Sequence, residues 1–441
     1  MRMKWTIIGF ILFAIVAGGT AWTQSRQEPL TLEESIKIAL EKNLRLHSAV
    51  EGIAGSKFRQ KQAVTNFLPT WTGQYLYTQY NSPTTVGYSA RYSATGEILN
   101  TDRGVYNLNT TVQQPIFAGG SITANYRLEK YGVEISKTDV ETVKRDIVVA
   151  VREGYFNILR AEKFVGVSKQ AVKQFEAQLE VSRAFFEVGI IPKNDLLQSE
   201  VRLANARQTL VKAENDLGLA KSSFNILLRR DINEPLNVVD ILEYKPAALR
   251  LEDSIEEALR QRPEIKSAGL KVDQAKESVK IAKSGFFPTI NFSWNYSRIS
   301  DEFDMMGDLR GERWTAQALA ALTIFDWGRT AYKVGESKVK VTQAEDSKIQ
   351  MMEEIILEVK QAYLNLLTAE KNIGVAEKAI EQAEENLRMN EERYKYQVAT
   401  ATDVLDAVTL LAQARVNYYS ALSDFNIAKA KLDRAMGRMY P

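Results

Sequence analysis

The sequence has no cysteine, a single histidine and only ten prolines in 441 residues. Without cysteine the chain has no disulfide bonds, no thiolate nucleophile, no thiolate metal ligand and no cysteine-linked lipid. The one histidine, His47, has no second histidine with which to share a metal ion, so we interpret it as a structural or surface residue. Stability must therefore come from packing, and the sequence predicts no metal site.

An excess of charge of either sign is also lacking. The chain carries 57 lysines and arginines against 55 aspartates and glutamates, and 55 basic residues remain once Arg2 and Lys4 are set aside with a predicted signal peptide. A dedicated nucleic-acid-binding protein needs a marked positive excess, which this chain does not have. The chain has one histidine, no cysteine and no clustered pair of an acid and a base. The sequence therefore also predicts no enzyme, no catalytic residues and no bound cofactor.

Long apolar runs are confined to the N-terminus. The run from Trp5 to Ala17 follows two basic residues and precedes the small residues Gly19, Thr20 and Ala21. This pattern is typical of a secretory signal peptide, which we predict over residues 1–21, and it implies that the mature chain is exported. A retained anchor is the alternative, although the run is shorter than the roughly 20 residues that a spanning helix needs.

Two weaker motifs predict no ligand-binding site. The segment from Gly52 to Lys57 has the glycine, serine and lysine of a phosphate-binding loop without its spacing, so we predict no nucleotide site there. Asp301, Asp304 and Asp308 fall in a predicted hairpin loop, where a solvated loop is favoured over a cation site.

The chain does contain an internal duplication. Its opening motifs repeat at an offset of 219 residues, as from Leu32 to Leu251, and its later motifs at an offset of 208. The 11-residue difference falls between a Pro-Thr element and a Phe-x-x-Gly element, so each copy is a constant frame with one variable insert. We predict a first repeat over residues 22–230, a packed connector over 231–250 and a second repeat over 251–441. Matched pairs include Pro69 and Pro288, Phe117 and Phe325, Tyr155 and Tyr363, Asp195 and Asp403, and Arg207 and Arg415.

Each repeat contains a long segment without proline in which apolar residues recur at helical spacing. At about 1.5 Å per residue such a helix is roughly 100 Å long, which exceeds the span of one globular core. A break of about five residues precedes a second, shorter helix in each repeat, so the sequence predicts antiparallel helical hairpins over about 121–228 and 329–436. Helical segments at about 46–67 and 266–286 have the right length to stack end to end on the returning helices.

The variable inserts have a different period. In each of them apolar and polar residues alternate, as expected for strands with one apolar and one polar face. The pattern predicts two β-hairpins with strands at about 68–82, 103–117, 288–299 and 311–325, the last including Leu322 and Ile324 on its apolar face. The aromatic residues that we expect to form belts at the membrane–water interfaces are Trp71, Tyr75, Tyr77, Trp294, Tyr296 and Trp314.

Four strands alone are not a stable unit, because their edges and their apolar face both need covering. Strands of this length with one polar face are typical of transmembrane barrels, which tolerate no open edge in lipid. The sequence therefore predicts a barrel that closes by recruiting other chains, and four strands per chain make 12 in a trimer. A soluble sandwich with a buried aromatic face is the alternative.

The order of these motifs resembles the TolC family of outer-membrane efflux proteins. The resemblance rests on the duplicated layout, on the openings at Leu32 and Leu251, on the Phe-x-Pro and Ile-Phe-x-x-Gly elements of both copies, and on Asp403-Val404-Leu405-Asp406. It covers essentially the whole mature chain. It implies an α+β, mainly α fold, in which a trimer forms a 12-stranded transmembrane barrel and a periplasmic tunnel of 12 helices.

The resemblance also implies a function. The chain is then a passive exit duct in the outer membrane of a Gram-negative bacterium, extending into the periplasm, within a tripartite efflux or type I secretion system. The implied partners are two further copies of the chain, outer-membrane lipid, a periplasmic adaptor protein that opens the hairpin tips, and an inner-membrane pump. A periplasmic coiled-coil scaffold or adhesin without a pore is the alternative, and no motif identifies the transported substrate.

By the same resemblance the gate lies at the hairpin tips. Asp403 and Asp406 are implied to line the tunnel entrance, where a ring of carboxylates attracts cations, and Tyr394 to close the tip against Asp195. Simpler roles remain open: Asp195 and Asp403 as helix caps, Asp406 as an acid suited to the helix dipole, and Tyr394 as a packing residue. The tip residues that we expect to contact the adaptor are Val188, Gly189, Ile190, Ile191, Pro192, Tyr396, Gln397, Val398, Ala399 and Thr400.

The tips depart from the family pattern in two places. Val188-Gly189 of the first tip corresponds to Tyr396-Gln397 in the second, so a turn with positive φ costs roughly 1 kcal/mol more with glutamine than with glycine. Ala399 occupies a position at which a known member carries an arginine of the latch. The gate contacts of this chain are therefore expected to differ from those of its relatives.

Overall fold

The computed structural model describes residues 29–81, 104–246, 249–300, 302–305 and 311–439. The predicted signal peptide and most of both β-hairpin loops lie outside these residues. The elements of the described residues are α1 (Leu32–Lys42), α2 (Leu44–Thr65), β1 (Thr70–Gln79), β2 (Gly104–Ala118), α3 (Ser121–Glu187), α4 (Lys193–Leu227), α5 (Leu251–Gln261), α6 (Pro263–Lys283), β3 (Thr289–Ser300), β4 (Gly311–Ala321), α7 (Arg329–Lys395) and α8 (Ala401–Ala435).

The helices repeat at the two offsets found in the sequence. α3 and α7 both have 67 residues, and their first residues, Ser121 and Arg329, lie 208 positions apart. α4 and α8 both have 35 residues and keep that offset, whereas α1 and α5 keep the offset of 219. In each repeat, one long helix is therefore followed by a returning helix about half as long. A third helix, α2 in the first repeat and α6 in the second, lies beside the other half of the long helix.

These shorter helices, α2 and α6, begin two or three residues before the positions predicted from the sequence. The side chain of Asn43 accepts hydrogen bonds from the amides of Arg45 and Leu46 and so caps α2 at its start. Pro263 occupies the first turn of α6, where a missing amide proton costs nothing. Among the helices of the described residues, none combines the length and the hydropathy that crossing a membrane requires.

The four strands form one antiparallel sheet in the order β1-β2-β3-β4. β4 ends at Ala321, so the prediction that Leu322 and Ile324 continue this strand is wrong. Ala321 pairs with Thr289, the first residue of β3, and the residues after Ala321 have no partner strand within the described part of the chain. The chain turns instead into α7, where the carboxylate of Asp326 accepts hydrogen bonds from the amides of the new helix.

The helices pack side by side into a wall. In the half next to the sheet the order is α2-α3-α6-α7, and in the half away from it α4-α3-α8-α7. α7 therefore forms one edge of the wall along its whole length, and α2 followed by α4 forms the other. The sheet has matching edges, because β1 follows α2 and β4 leads into α7.

A buried apolar core lies in the middle of the wall. Tyr155 is fully buried, and its hydroxyl lies 2.8 Å from the carbonyl of Val239 and 3.0 Å from that of Leu30. The connector between the repeats thus packs across the middle of α3, and Leu30 and Val238 also form a parallel β-bridge there. Nearby, Arg434 at the end of α8 forms ion pairs that join it to α3, α6 and α7.

Candidate functional site at the hairpin tips

Both hairpins reverse direction through the same backbone motif. In each tip an amide just past the long helix, that of Ile190 or of Val398, donates to a carbonyl of the last helical turn at 2.8 Å. The residue before it has a left-handed conformation, with φ of 78° at Gly189 and 57° at Gln397. This is the Schellman ending of a helix, which favours glycine at that position. The positive φ anticipated from the sequence is therefore present in both tips, and only the first has glycine there.

Asp403 belongs to a capping box rather than acting as the cap itself. The cap of α8 is Thr400, whose hydroxyl accepts from the Asp403 amide at 3.2 Å while its own amide donates to the Asp403 carboxylate at 2.8 Å. These bonds, first from the Thr400 backbone and then from its hydroxyl, lower the pKa of Asp403. The equivalent Asp195 lies in the first turn of α4, whose cap is Pro192 and lacks a side-chain bond. The expectation that Asp195 and Asp403 are themselves N-caps is wrong by three positions.

Asp406 lies one turn further along α8 and contacts the other hairpin. The Arg202 guanidinium on α4 donates to the Asp406 carboxylate at 2.8 Å, and both side chains are about half exposed. One turn closer to the tip, the hydroxyl of Thr402 donates to the side-chain oxygen of Gln198 at 2.7 Å. α4 and α8 therefore run parallel and meet through polar side chains near their starts. Arg202 was missed by the sequence reasoning because its partner is 204 residues away.

Tyr394 is buried inside the tip, at 4% exposure. Its hydroxyl lies 3.5 Å from that of Ser182 on α3, which in turn lies 3.1 Å from the Ser199 hydroxyl on α4. Its ring packs against Phe185. In this chain Tyr394 therefore faces Ser182, whereas the family resemblance implied Asp195, and the buried ring agrees with the packing role left open for it. Ser182 and Ser199 were also missed, since small hydroxyl residues give no distinctive signal in a helical sequence.

The outer surface of the tips contrasts with this interior. Val404, Leu405 and Val408 of α8 are about 1% exposed and join apolar residues of the other three helices in one cluster. Of the ten residues expected to contact an adaptor, Ile191 and Ala399 are half-buried and the other eight are exposed. Val188 and Tyr396 are 70% and 77% exposed, which is unusual for such side chains. The tips thus present apolar groups on a well-packed support.

The strand register brings the aromatic residues of the sheet onto one face. Val112 pairs with both Trp71 and Trp294, and Tyr296 pairs with Trp314. Tyr75 and Tyr77 follow Trp71 at steps of two and share its face. The opposite face carries mainly Thr, Asn, Gln and Ser. The sheet therefore has one aromatic and apolar side and one polar side.

A second apolar band, at the junction of the sheet with the helices, was not predicted. Every strand meets its helix through a short segment with exposed large apolar side chains. The signal was present, because all of these residues except Leu322 belong to the duplicated Phe-x-Pro and Ile-Phe-x-x-Gly motifs. Those motifs were interpreted as marks of the repeat and of the family, and Leu322 and Ile324 were expected on the last strand. The band consists of Phe67, Leu68, Ile116, Phe117, Phe286, Phe287, Leu322, Ile324, Phe325 and Trp327.

The remaining sequence candidates stay isolated. His47 is exposed on α2, and Gly52 to Lys57 form part of that helix rather than a loop. Within the described ranges no group of three or more His, Cys, Asp and Glu side chains is arranged to hold a metal ion. Asp304 lies in a described turn, whereas Asp301 and Asp308 fall outside the described residues.

Comparison with known proteins yields a family match over most of both repeats. The family described as outer membrane efflux protein matches residues 36–223 and 254–438. The outer membrane protein TolC of Vibrio cholerae is 23% identical over 265 residues, which are 53% of this chain and 59% of that protein. TolC of Escherichia coli is 25% identical over 212 residues, 46% of this chain and 42% of that protein. The chain thus spans about half the length of these curated relatives.

The fold is also known. The outer membrane channel CmeC of Campylobacter jejuni has a TM-score of 0.78 to this chain at 19% identity, with 98% of this chain and 94% of that chain covered. At this level of identity the likeness shows a shared fold over nearly the whole length.

Proposed function

The chain belongs to the outer membrane efflux protein family, and from this membership we propose that three copies form a passive exit duct for efflux or secretion. Family membership locates the chain in the outer membrane of a Gram-negative bacterium. The duct has a barrel in the membrane and a helical tunnel in the periplasm, and it performs no catalysis of its own. CmeC, which shares the fold of this chain, is an outer membrane channel, which agrees with a conducting role.

The main support for this proposal is that both the sheet and the helical wall of the single chain have open edges. Among the strands of the described residues, β1 and β4 each have one side without a partner strand, and an open edge is not tolerated in lipid. The helical edges α2, α4 and α7 have exposed apolar side chains along their length, whereas α6, inside the wall, has no large one in its described residues. The exposed apolar residues of the edges are Leu44, Val50, Phe58 and Val64 on α2, Leu197, Val201, Val211, Leu219 and Ile226 on α4, and Tyr332, Val339, Ile349, Leu357, Leu364, Val375 and Met389 on α7.

The two edges differ from each other, so copies of the chain join head to tail. The edge formed by β1, α2 and α4 on one chain meets the edge formed by β4 and α7 on the next, and such contacts close into a ring when the rotation fits. Three chains with four strands each close a barrel of 12 strands, and four helices across each wall give a tunnel of 12. The aromatic face of the sheet then meets lipid and the polar face lines the lumen.

We place the gate at the hairpin tips. Asp403 and Asp406 from three chains surround the tunnel entrance, and the exposed apolar tip residues are the surface on which an adaptor protein, coupled to an inner-membrane pump, acts. Replacing both aspartates by asparagine should weaken block of the pore by trivalent cations, because the ring of carboxylates is lost. Unchanged block would remove both residues from the constriction. Crosslinking in native membranes followed by purification identifies the adaptor and the pump.

The experiment that tests the duct itself is direct. The mature protein, extracted in detergent, is expected to have the mass of a trimer by light scattering and to insert conducting pores into planar lipid bilayers. A protein that stays monomeric and soluble without detergent, or a trimer that never conducts, would contradict the proposal. The second outcome would favour the alternative of a periplasmic scaffold or adhesin without a pore.

A further inference from the structure

One ion pair near the tips joins the two hairpins of the chain. It links Arg202 on α4 to Asp406 on α8 at 2.8 Å, at a level where these two returning helices run parallel and touch. Both side chains keep about half of their surface exposed, so water and dissolved ions reach the pair. An ion pair in such a position exchanges readily with competing ions, because its net free energy is small and salt screens it.

The internal repeat shows that this pair is not part of the common frame. Arg207 pairs with Glu176 at 2.8 Å within the first hairpin, and the equivalent Arg415 pairs with Glu384 at 2.7 Å within the second. Those two pairs are related by the 208-residue offset and hold each hairpin together. Arg202 and Asp406 instead connect one hairpin to the other. At the equivalent positions of the opposite repeat the chain has Leu410 and Gln198, which cannot form an ion pair.

We propose that Arg202 is the counter-ion of Asp406 at the tunnel entrance, and that it sets both the affinity of the entrance for multivalent cations and the closure of the tips. The proposal rests on the duct proposed above, in which Asp406 belongs to the ring of carboxylates. A guanidinium and a dissolved cation compete for the same carboxylate, so Arg202 lowers the cation affinity of the ring while it is bound. A cation that displaces Arg202 also removes a contact between the hairpins.

In the proposed trimer, charged and uncharged contacts between neighbouring hairpins alternate around the entrance. A head-to-tail ring of three chains has six seams between hairpins, three within chains and three between them. Seams within a chain contain Arg202 and Asp406, whereas the related positions at seams between chains are Leu410 and Gln198. At this level the three seams within chains therefore carry an ion pair that is sensitive to salt, and the equivalent positions of the other three seams carry no charge. The tips are expected to separate first within each chain when the ionic strength rises.

Two neutralising substitutions separate this role from a purely structural one. In planar bilayers, Arg202→Gln is expected to lower the concentration of a trivalent cation that gives half-block by about threefold, since an exposed ion pair is worth less than a tenfold change in affinity. Asp406→Asn breaks the same contact but is expected to raise that concentration. Both variants are expected to increase the frequency of openings to higher conductance, because both break the contact between the hairpins.

The control is Arg207→Gln, which breaks an ion pair of the same length within one hairpin and is expected to change neither block nor openings. A reversed pair, Arg202→Asp with Asp406→Arg, is expected to restore the low opening frequency of the wild type. Should the Gln variant fail to assemble, Arg202→Lys keeps the charge and is expected to keep wild-type block. A block unaltered by Arg202→Gln, or altered in the same direction by Asp406→Asn, would overturn the proposal. Failure of the duct itself shows separately, as a wild-type protein without conductance.

Discussion

At the scale of single residues, Gln397 carries backbone strain that its counterpart avoids. Its φ of 57° lies in the left-handed region, which costs a residue with a Cβ atom about 1 kcal/mol relative to glycine. Gln397→Gly is therefore expected to raise the free energy of unfolding by about 0.5 to 1 kcal/mol. The measurement is the thermal unfolding midpoint of the protein in detergent at matched concentration.

The matched control for that change lies in the other tip. Gly189 has φ of 78° and open space around it, so Gly189→Ala introduces the same strain without a steric clash and is expected to lower the midpoint. Opposite shifts for the two variants would establish the backbone as the cause. Equal shifts in one direction would show that the side chain of Gln397 has another role.

Tyr155 is a second residue with a measurable contribution. Its buried hydroxyl lies within 3.0 Å of two carbonyl oxygens, those of Leu30 and Val239, whereas the hydroxyl of the equivalent, half-buried Tyr363 lies 3.3 Å from the Leu249 carbonyl. Tyr155→Phe is expected to cost about 1 to 2 kcal/mol because it leaves buried carbonyl groups less well satisfied, and Tyr363→Phe is expected to cost less. Denaturant unfolding of both variants measures the difference, and a larger loss at Tyr363 would contradict the assignment.

The same hydroxyl predicts a pH dependence. Burial raises the pKa of Tyr155 from 10.0 to about 12 in the folded chain. Because the folded pKa is the higher one, the contribution of this group to stability is fully present below pH 10 and is lost as the pH rises through about 12. The loss of stability over this window should be smaller for Tyr155→Phe than for the wild type.

At the scale of elements, the exposed apolar stripe of α7 is the most direct target. Leu357→Glu together with Leu364→Glu places two charges on the edge that we propose meets the next chain, and burial of an unpaired charge is strongly unfavourable. We expect loss of the trimer with retention of helical content, measured by light scattering and circular dichroism. Leu357→Met together with Leu364→Met keeps the same positions apolar, is the control and should leave the trimer intact.

The elements were more predictable than their contacts. The absence of proline, the helical spacing of apolar residues and the two offsets indicate the long helices, because these signals lie within one segment of chain. The pairing of Arg202 with Asp406 and of Tyr394 with Ser182 depends on how two hairpins cross, and no local pattern records that. The end of β4 depends likewise on where its partner strand begins.

At the scale of the whole molecule, the aromatic face of the sheet predicts contact with lipid. Trp71, Trp294 and Trp314 share that face, and Trp71 is 78% exposed in the single chain. The test uses variants whose single tryptophan is one of these three, all other tryptophans being replaced by phenylalanine. In vesicles containing brominated phospholipid their fluorescence should be quenched, whereas iodide in the water should have little effect. The reverse pattern would mean that this face is turned toward the lumen.

The repeat explains why one chain is not a finished unit. Its motifs and the alternating strands indicate both an incomplete sheet and an incomplete wall from sequence alone. The sequence did not show that the open edges of the sheet and of the helical wall lie on the same two sides of the chain. One side has β1 with α2 and α4, and the other has β4 with α7. That alignment requires the three-dimensional order of the helices, and in the proposed trimer it lets one rotation close both the barrel and the tunnel.

Unlike edges also have a genetic consequence. In the proposed ring, a chain damaged only along α7 and β4 still offers an intact opposite edge to its neighbour, so it is expected to join other chains and then prevent closure. Alleles that alter one edge should therefore be dominant over the normal allele when both are expressed, because each damaged chain consumes normal ones. Alleles that damage both edges should be recessive, since their products cannot join at all, and the inheritance of each defect thus reports which side of the wall it affects.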